Sequence, residues 1–293
     1  MESGVTGGAA AAPGTLYLVS TPIGNMGDFS FRAVDVLKSV STILAEDTRH
    51  TRRLLDRYAI RTATSSYHEH NEAKMTPALV ARLCAGESLA LVSDAGTPLL
   101  SDPGARLVAA AIAAAVPVSP IPGASALLAA LVASGLNAER FTFFGFLTRT
   151  GSKRTSALDE IMSLGHTAVL YEAPNRLAGT LAELEQLGAG GRTTAVAREM
   201  TKQFEEVQRG TLAELRAYYE SKPPRGEIVI VIGPAVHAAV SDEEVRQRVR
   251  ALRASGMSAR DASSVVAGEL GVSRRLAYRH AREWVENREE SEE

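Results

Sequence analysis

The stretch Leu89–Gly104, LALVSDAGTPLLSDPG, constrains the fold of this chain more than any other. A run of buried type, Leu89 to Ser93, ends abruptly in Asp94-Ala95-Gly96, and a second turn, Ser101-Asp102-Pro103-Gly104, opens a helical segment. A short apolar run bounded by turn residues fits a strand of a parallel sheet flanked by helices. In such sheets ligands bind in loops at the carboxyl edge of the strands. Glycines let the backbone approach a ligand, and prolines fix the path of the loop. The stretch predicts an α/β fold with a small-molecule site.

The same unit recurs through the first half of the chain. Thr15–Ser20 reads as a strand that breaks at Thr21-Pro22-Ile23-Gly24-Asn25, before a helix over Ser30–Ser39 for which Asp28 and Ser30 are candidate caps. The three spaced glycines of a dinucleotide site and the Walker loop are both missing, so neither nucleotide-binding pattern applies. Thr42–Ala45 is the second strand, ending in Glu46-Asp47-Thr48-Arg49 ahead of a helix over Thr48–Tyr58. Two carboxylates and an arginine at a strand end either cap that helix as a salt bridge or help place a substrate or cofactor. Thr62–Tyr67 is a third strand, running into His68-Glu69-His70-Asn71, the densest polar cluster of the chain. Its two histidines face the same way on an extended segment, which fits loop packing, proton handling or a metal. The six histidines supply no H-x-x-x-H pair and no cysteine cluster completes a metal set, so no metal site is assigned. An amphipathic helix over Met75–Ala85 places Leu79, Val80, Leu83 and Cys84 on one side. After the Leu89 strand come a helix over Ala105–Ala115 and a strand over Val116–Ser119. That strand ends in Pro120–Ala126 and leads into an apolar helix over Ala124–Ala133. Three such loops at one sheet edge argue for a pocket.

A chain of 293 residues is long enough for two domains and a small appendage. Ser134–Asn137 reads as the linker, so the first domain spans 14–134 and the second 135–235. Phe141–Phe146 is an aromatic strand, and the loop Leu147–Arg154 brings Arg149, Lys153 and Arg154 within reach of a polyanion. Helices over Thr155–Leu164, Leu177–Leu187 and Leu212–Glu220 alternate with strands over His166–Tyr171, Thr194–Arg198 and Glu227–Ile232. The pattern predicts a sheet with helices and mixed strand direction. From Ser241 the character changes. Val245, Val249 and Leu252 mark one helix face, and Ser258 with Asp261 starts a second helix carrying Val265, Val266 and Leu270 inward. Gly271-Val272-Ser273 turns into a third helix, Arg274–Val285, packed through Leu276, Ala277, His280, Ala281 and Trp284. Residues 241–285 thus read as a helix-turn-helix module. Arg274, Arg275, Arg279 and Arg282 make one of its faces cationic, which suits phosphates.

Net charge is −2, so nucleic-acid binding must rest on where charges are placed rather than on their sum. The one cysteine, Cys84, rules out a disulfide framework and points to the cytoplasm. Residues 1–13 are Gly/Ala-rich without Lys or Arg and are expected to be a disordered leader, and 286–293 an acidic, frayed tail. No stretch approaches the roughly 18 apolar residues of a membrane span.

Six motifs in order bring a family into view. Thr21-Pro22-Ile23-Gly24-Asn25, Glu46-Asp47-Thr48-Arg49-His50, His68-Glu69-His70-Asn71, Val92-Ser93-Asp94-Ala95-Gly96-Thr97-Pro98, Ser101-Asp102-Pro103-Gly104 and Pro122-Gly123-Ala124-Ser125-Ala126 together resemble the ribosomal small-subunit RNA methyltransferase I family. Each is weak alone, and the ordered series is specific. The resemblance covers about residues 14–234, and the helix-turn-helix tail also looks like one that many members carry. It implies a two-domain tetrapyrrole-methylase-like α/β fold, and transfer of a methyl from S-adenosylmethionine to the ribose 2'-hydroxyl of a decoding-centre cytidine in 16S rRNA. It further implies a homodimer with the donor in the cleft between two α/β domains.

Carried over by motif, the resemblance implies donor contacts from Pro22, Gly24 and Asn25, from Asp94, Ala95 and Gly96, and from Ser125 and Ala126. The first loop departs from the Gly-Pro-Gly turn of the related methylases, which argues against a tetrapyrrole substrate. Adenine is expected near Tyr171 and near Pro234. For the acceptor side, chemistry favours Glu46, Asp47, His68, His70, Asn71 and Glu199, with the residue that takes the proton left open. Arg49, Arg149, Lys153, Arg154 and Lys202 suit phosphates of 16S rRNA, presented within the small ribosomal subunit. A sulfonium methyl is already electrophilic, so this chemistry calls for neither metal nor covalent intermediate. A small-molecule methylase is the alternative.

Overall fold

The computed structural model describes residues 11–235, 241–270 and 272–289. They fall into two compact units, one ending at Ala235 and the other beginning at Val236. Residues 1–10 of the expected leader, 290–293 of the expected acidic tail and the turn residue Gly271 lie outside the described residues.

The first unit contains two five-stranded sheets. Strands β1 (Leu16–Val19), β2 (Thr42–Ala45), β3 (Thr64–Ser66), β4 (Leu89–Val92) and β5 (Val118–Ile121) pair in the order β3-β2-β4-β1-β5, all parallel. Between them run α1 (Phe31–Ser39), α2 (Thr48–Arg57), α3 (Glu72–Cys84) and α4 (Ala105–Ala113). Alternate side chains of each strand go to opposite faces. Tyr17, Val19, Ile43 and Val92 pack with α1 and α2 through Val34, Leu37, Leu54 and Leu55. Leu16, Leu44, Leu89 and Leu91 pack with α3 and α4 through Leu79, Leu83, Leu107 and Ala111 on the other face. Ser30 caps α1, its side chain accepting from the Ala33 amide, while Asp28 closes a short 3-10 turn before it.

Beyond shifts at helix starts, as at Glu72 of α3, three details differ from the sequence reading. Cys84 is exposed: the buried side of α3 is Thr76, Leu79 and Leu83, and Cys84 lies about 100° round the helix from Leu83. β5 begins two residues late and includes Pro120, which an edge strand tolerates because that position needs no amide donor. The third is an unanticipated strand of the second sheet.

That sheet comprises β6 (Phe141–Phe146), β7 (Thr167–Glu172), β8 (Thr193–Arg198), β9 (Glu206–Thr211) and β10 (Ile228–Ile232), in the order β6-β7-β10-β8-β9. Only β6 and β7 are parallel, so the direction is mixed as the pattern predicts. β9 escapes the sequence reading because Glu-Val-Gln-Arg-Gly-Thr is a half-exposed edge with no apolar run. Helices α6 (Ser152–Ser163), α7 (Leu177–Leu184) and α8 (Leu212–Ser221) cover one face, where Leu158, Leu181 and Leu215 meet Leu170, Val196 and Ile230. The other face is covered by α5 (Ala126–Ser134), the helix that follows the first sheet. Leu127, Ala130 and Leu131 pack there on Val169, Ala197 and Val231, which joins the two sheets into one body.

The second unit is a three-helix module: α9 (Asp242–Ala254), α10 (Ala259–Leu270) and α11 (Arg274–Glu289). Ser241 and Glu244 form a capping box, and Ser258 caps α10 through the Asp261 amide at 3.1 Å. Val245, Val249, Val266, Ala277 and Ala281 make its small core. His280 is buried and faces Glu283 at 3.0 Å and Asp242 at 3.3 Å. Among the described residues no helix is long and apolar enough to cross a membrane.

One buried cation ties the second sheet to its helices. Arg192, 3% exposed, donates to the carbonyl of Ile161 at 2.7 Å and to that of Gly233 at 2.9 Å. Arg192→Met removes both donations, leaving the Gly233 carbonyl without this partner inside the protein while Ile161 keeps the Leu164 amide, which is expected to cost roughly 1–3 kcal/mol. Chemical denaturation of the variant measures that loss.

Candidate active site

The strand order creates a crevice. β1 and β4 are neighbours, yet the chain leaves β1 for a helix on one face and β4 for a helix on the other. Their outgoing loops therefore part, and the gap beyond the carboxyl ends is where open α/β sheets hold ligands. Two backbone bonds bridge its mouth: the Thr21 amide donates to Gly96 at 2.9 Å, and the Gly96 amide to Thr21 at 3.0 Å. The Thr21 hydroxyl donates to the Ser93 carbonyl at 3.1 Å and that of Ser93 to the Gly96 carbonyl at 2.8 Å. Thr97 donates to the Ala124 carbonyl at 3.2 Å, which brings in the loop after β5. The three loops singled out in the sequence are thus stitched together by their own backbones and hydroxyls.

A cavity of about 380 Å³ opens beside this stitch, within the span of small-molecule sites. Asp94, Ala95, Gly96, Asp102 and Ala126 line it from the first sheet, and Tyr171, Met200, Glu227 and Val229 from the second. Phe143 and Phe146 hold the Tyr171 ring, at centroid distances of 4.9 and 5.4 Å. Burial pushes the Tyr171 phenol above its ordinary range. At the base, Glu172 is fully buried and accepts from Thr180 at 2.6 Å and from the Ala173 amide at 2.9 Å, beside Arg176 at 3.1 Å.

Carboxylates crowd the first-sheet side. Asp102 is pushed up to about 6, chiefly by burial and then by the charges of Glu46 and Asp94. Its loop is held in place by Leu99 and Ser101, both at φ +71°, a left-handed conformation that costs about 1–3 kcal/mol per non-glycine residue. Glu46 is also raised, by burial and by Asp94, with His68 opposing. Asp94 accepts the Asp47 amide at 3.1 Å, which fixes the end of β2 to that of β4. The buried Nδ1 of His68 has no hydrogen-bond partner among the described residues.

Opposite, Lys202 lies against Gly24 and reaches Glu199 at 2.9 Å and Glu227 at 3.2 Å. Those contacts hold the Glu199 carboxyl below its usual range. Glu199 sits at φ +51° and Thr201 at φ +67°; Thr201 accepts the Asn25 amide at 3.2 Å, so this turn closes on the loop after β1. Gly226, at φ +86°, is required here, since a Cβ would fall 2.1 Å from a Glu199 oxygen. A second concavity of about 200 Å³, lined in part by Pro22, Gly24, His50, Thr51 and Arg53, shares Ile23, Asp94, Ala95 and Glu227 with the first.

Asp94, Ala95, Gly96, Ala126 and Tyr171 therefore meet in one cavity, with Pro22 and Gly24 next door and Ser125 at the cap of α5. Asn25 caps the 3-10 turn. Other sequence-assigned residues have different employment. Pro234 is away from the cavity: β10 is antiparallel to β7, so its Ile228 end, not its Ile232 end, lies beside Glu172. Arg154 is 7% exposed and spends its guanidinium on Glu183 at 2.8 Å, Thr148 and Thr180, so it braces α6 and does not face a polyanion. Lys202 is clamped between two carboxylates and is no free phosphate ligand. Asp47 caps α2 and pairs with Arg49 at 3.0 Å, which holds its carboxyl at about 2. Asn71 pins its own loop, accepting from His68 at 2.9 Å and donating to Ser66 at 3.0 Å, while His70 is exposed beside His68. Arg149, Lys153, Arg274, Arg275 and Arg279 are exposed, the last paired with Asp242 at 3.3 Å. Asp102, Met200, Gly226 and Glu227 were missed; only Asp102 had a signal, its place in the second turn of the opening stretch.

A carboxyl raised from 3.8 to about 6 binds its proton more tightly in the folded state, so the contribution of Asp102 to stability falls as pH rises across that window. Asp102→Asn is expected to raise the melting temperature at pH 8, with the gain vanishing toward pH 4. A gain that does not change with pH refutes this account.

Residues 15–216 match the family of Tetrapyrrole (Corrin/Porphyrin) Methylases. Ribosomal RNA small subunit methyltransferase I of Synechocystis sp. is 47% identical over 268 residues, 90% of this chain and 96% of that protein. The proteins of the same name from Mesorhizobium japonicum and Bacillus subtilis are 44% and 40% identical, each over 90% of this chain and over 90% and 93% of their own lengths. Among solved structures, a diphthine synthase superposes with a TM-score of 0.59 at 15% identity, covering 75% of this chain and 90% of its own. Uroporphyrin-III C-methyltransferase from Thermus thermophilus, complexed with S-adenosyl homocysteine, gives 0.54 at 20% identity over 76% of this chain and 98% of its own. The structural likenesses establish the two-sheet methylase fold, and the sequence identities go further: the chain belongs to the ribosomal RNA small subunit methyltransferase I family.

Proposed function

We propose that this protein transfers a methyl group from S-adenosylmethionine to the ribose 2'-hydroxyl of a decoding-centre cytidine of 16S rRNA, acting in the cytoplasm on the small ribosomal subunit. The observation that carries the donor assignment is the pairing of a carboxylate-rich wall with an apolar one in a single cavity. The donor is a cation at both its sulfonium and its ammonium, and Asp94, Asp102 and Glu46 form a cluster whose mutual repulsion a cation relieves. Gly96, at φ +86° and with Ile23 3.3 Å from where a Cβ would stand, leaves its backbone open to the methionine part. Tyr171, Ala126 and Val229 offer an apolar slot for the adenosine. A bound donor would supply an electrophilic methyl, with its thioether as the leaving group, for the 2'-oxygen whose proton the chain's own residues would take.

The chain must orient that hydroxyl and take its proton. Glu46 is our assignment for the proton acceptor, because it follows β2 directly, beside the Asp47 amide that Asp94 accepts, and burial and the Asp94 charge raise its proton affinity. His68, one of whose nitrogens is buried without a partner, stands beside it to steady the charge. On the helical module, Arg274, Arg275 and Arg279 are exposed on α11 and serve as phosphate contacts. Arg149 and Lys153 are exposed and suit flanking phosphates, and exposed Arg49 reaches one only in exchange for Asp47. A homodimer is part of this reading, and Leu128 and Val132, exposed on α5, suit a subunit contact.

Labelled S-adenosylmethionine with unmodified small subunits, followed by nucleoside mass analysis, is expected to yield 2'-O-methylcytidine at one decoding-centre position. Label in no nucleoside, with donor still bound, moves the substrate to a small molecule. Glu46→Gln is expected to lower kcat by about 100-fold or more while leaving donor affinity within a few fold, read by single-turnover kinetics and calorimetry. The double change Arg274→Ala and Arg275→Ala is expected to weaken subunit binding and flatten its salt dependence by up to about two phosphate contacts, measured at two salt concentrations.

A further inference from the structure

We infer that the smaller concavity, between α2 and the turn at 199–205, is the seat of the acceptor nucleotide's ribose-phosphate; this rests on the methyltransfer reading above. Thr51, 3% exposed, lines it, and its buried hydroxyl has no hydrogen-bond partner among the described residues. A buried hydroxyl without a partner is costly, and a ligand oxygen removes that cost.

The charges beside it are sorted in a telling way. α2 carries the cations Arg49, Arg52, Arg53 and Arg57, yet Arg49 pairs with Asp47 and Arg52 with Asp56 at 2.9 Å. Arg53, on the wall of the concavity, has no carboxylate partner among the described residues, and His50 lies on the same wall one turn earlier. Two acidic groups also line the space: Glu227 holds Lys202, and Asp94, which accepts the Asp47 amide, belongs equally to the donor cavity. A phosphodiester oxygen meets an available guanidinium, an imidazole and a hydroxyl there.

Position supports the same occupant. The concavity shares Ile23, Asp94, Ala95 and Glu227 with the donor cavity, so the two spaces meet at the loop after β4. A ribose held in the smaller space presents its 2'-oxygen at that shared wall, with Glu46 one residue before Asp47. In the His68–Asn71 cluster, by contrast, the Asn71 side chain is spent on its own loop, which leaves the His68 ring to act beside Glu46. The acceptor seat moves from that cluster to the side of α2 that carries His50, Thr51 and Arg53.

The test uses the whole protein with unmodified small ribosomal subunits and labelled S-adenosylmethionine, comparing wild type, Arg53→Ala and Thr51→Val. Arg53→Ala is expected to raise KM for subunits about tenfold, the worth of a charge-assisted hydrogen bond, with donor Kd unchanged. Thr51→Val preserves shape and removes the hydroxyl; it is expected to raise KM several fold while the ligand-free protein melts no lower than wild type. If both variants keep the wild-type KM, or if their loss lies wholly in donor affinity, the inference is overturned. If wild type itself labels no RNA, the methyltransfer reading fails first and takes this one with it.

Discussion

The site depends on one piece of backbone pairing, the two hydrogen bonds between Thr21 and Gly96. β1 and β4 are adjacent, and the helices that follow them lie on opposite faces of the sheet. Left to themselves, the two outgoing loops would separate. The Thr21–Gly96 pair holds them together at the point where they part, and the hydroxyls of Thr21, Ser93 and Thr97 extend the hold to the loop after β5. Because the loops satisfy each other's backbone, their carboxylate side chains are free to line the cavity.

Those carboxylates carry an electrostatic cost. Asp102 is raised to about 6 partly because Glu46 and Asp94 repel its charge, and its loop is held by two left-handed non-glycine residues. A structure keeps such strain where packing over-determines it. The strapping here comes from both sheets: Ser101 lies 3.0 Å from where a Cβ of Gly145 would stand, in the irregular part of β6. A cationic ligand offsets the repulsion, so the same feature that costs stability in the free protein favours binding.

The second sheet contributes by a different device. Antiparallel β10 brings Gly226 and Glu227 beside the carboxyl end of β7, and Lys202 ties Glu227 to Glu199 across the turn after β8. α5 packs its Leu127 and Leu131 on this sheet's other face, so the cavity walls are set by a shared core rather than by a hinge of loops. Aromatic contacts among Phe143, Phe146 and Tyr171 keep the apolar wall upright.

What could be read in the residues was local. Short apolar runs ending in Gly, Pro and Asp define strands and loops because period and turn chemistry act over a few neighbours, which is why β1, β2, β4, β6 and the three-helix module stand close to their expected places. The loop Asp94-Ala95-Gly96 was legible for the same reason. Partnership between distant charges was not. Nothing in the order of residues distinguishes Arg154, bound to Glu183, from Arg53, which has no carboxylate partner among the described residues, or marks the edge strand Glu206–Thr211. Nor does it say which end of β10 meets the site, since Pro234 and Glu227 flank the same run and only strand direction separates them. The sequence by itself determined the elements and the loops that carry chemistry, through short-range propensity and patterning. The tertiary structure decided which side chains face the cavity and which are consumed by one another, because burial and charge pairing exist only once the chain has closed on itself.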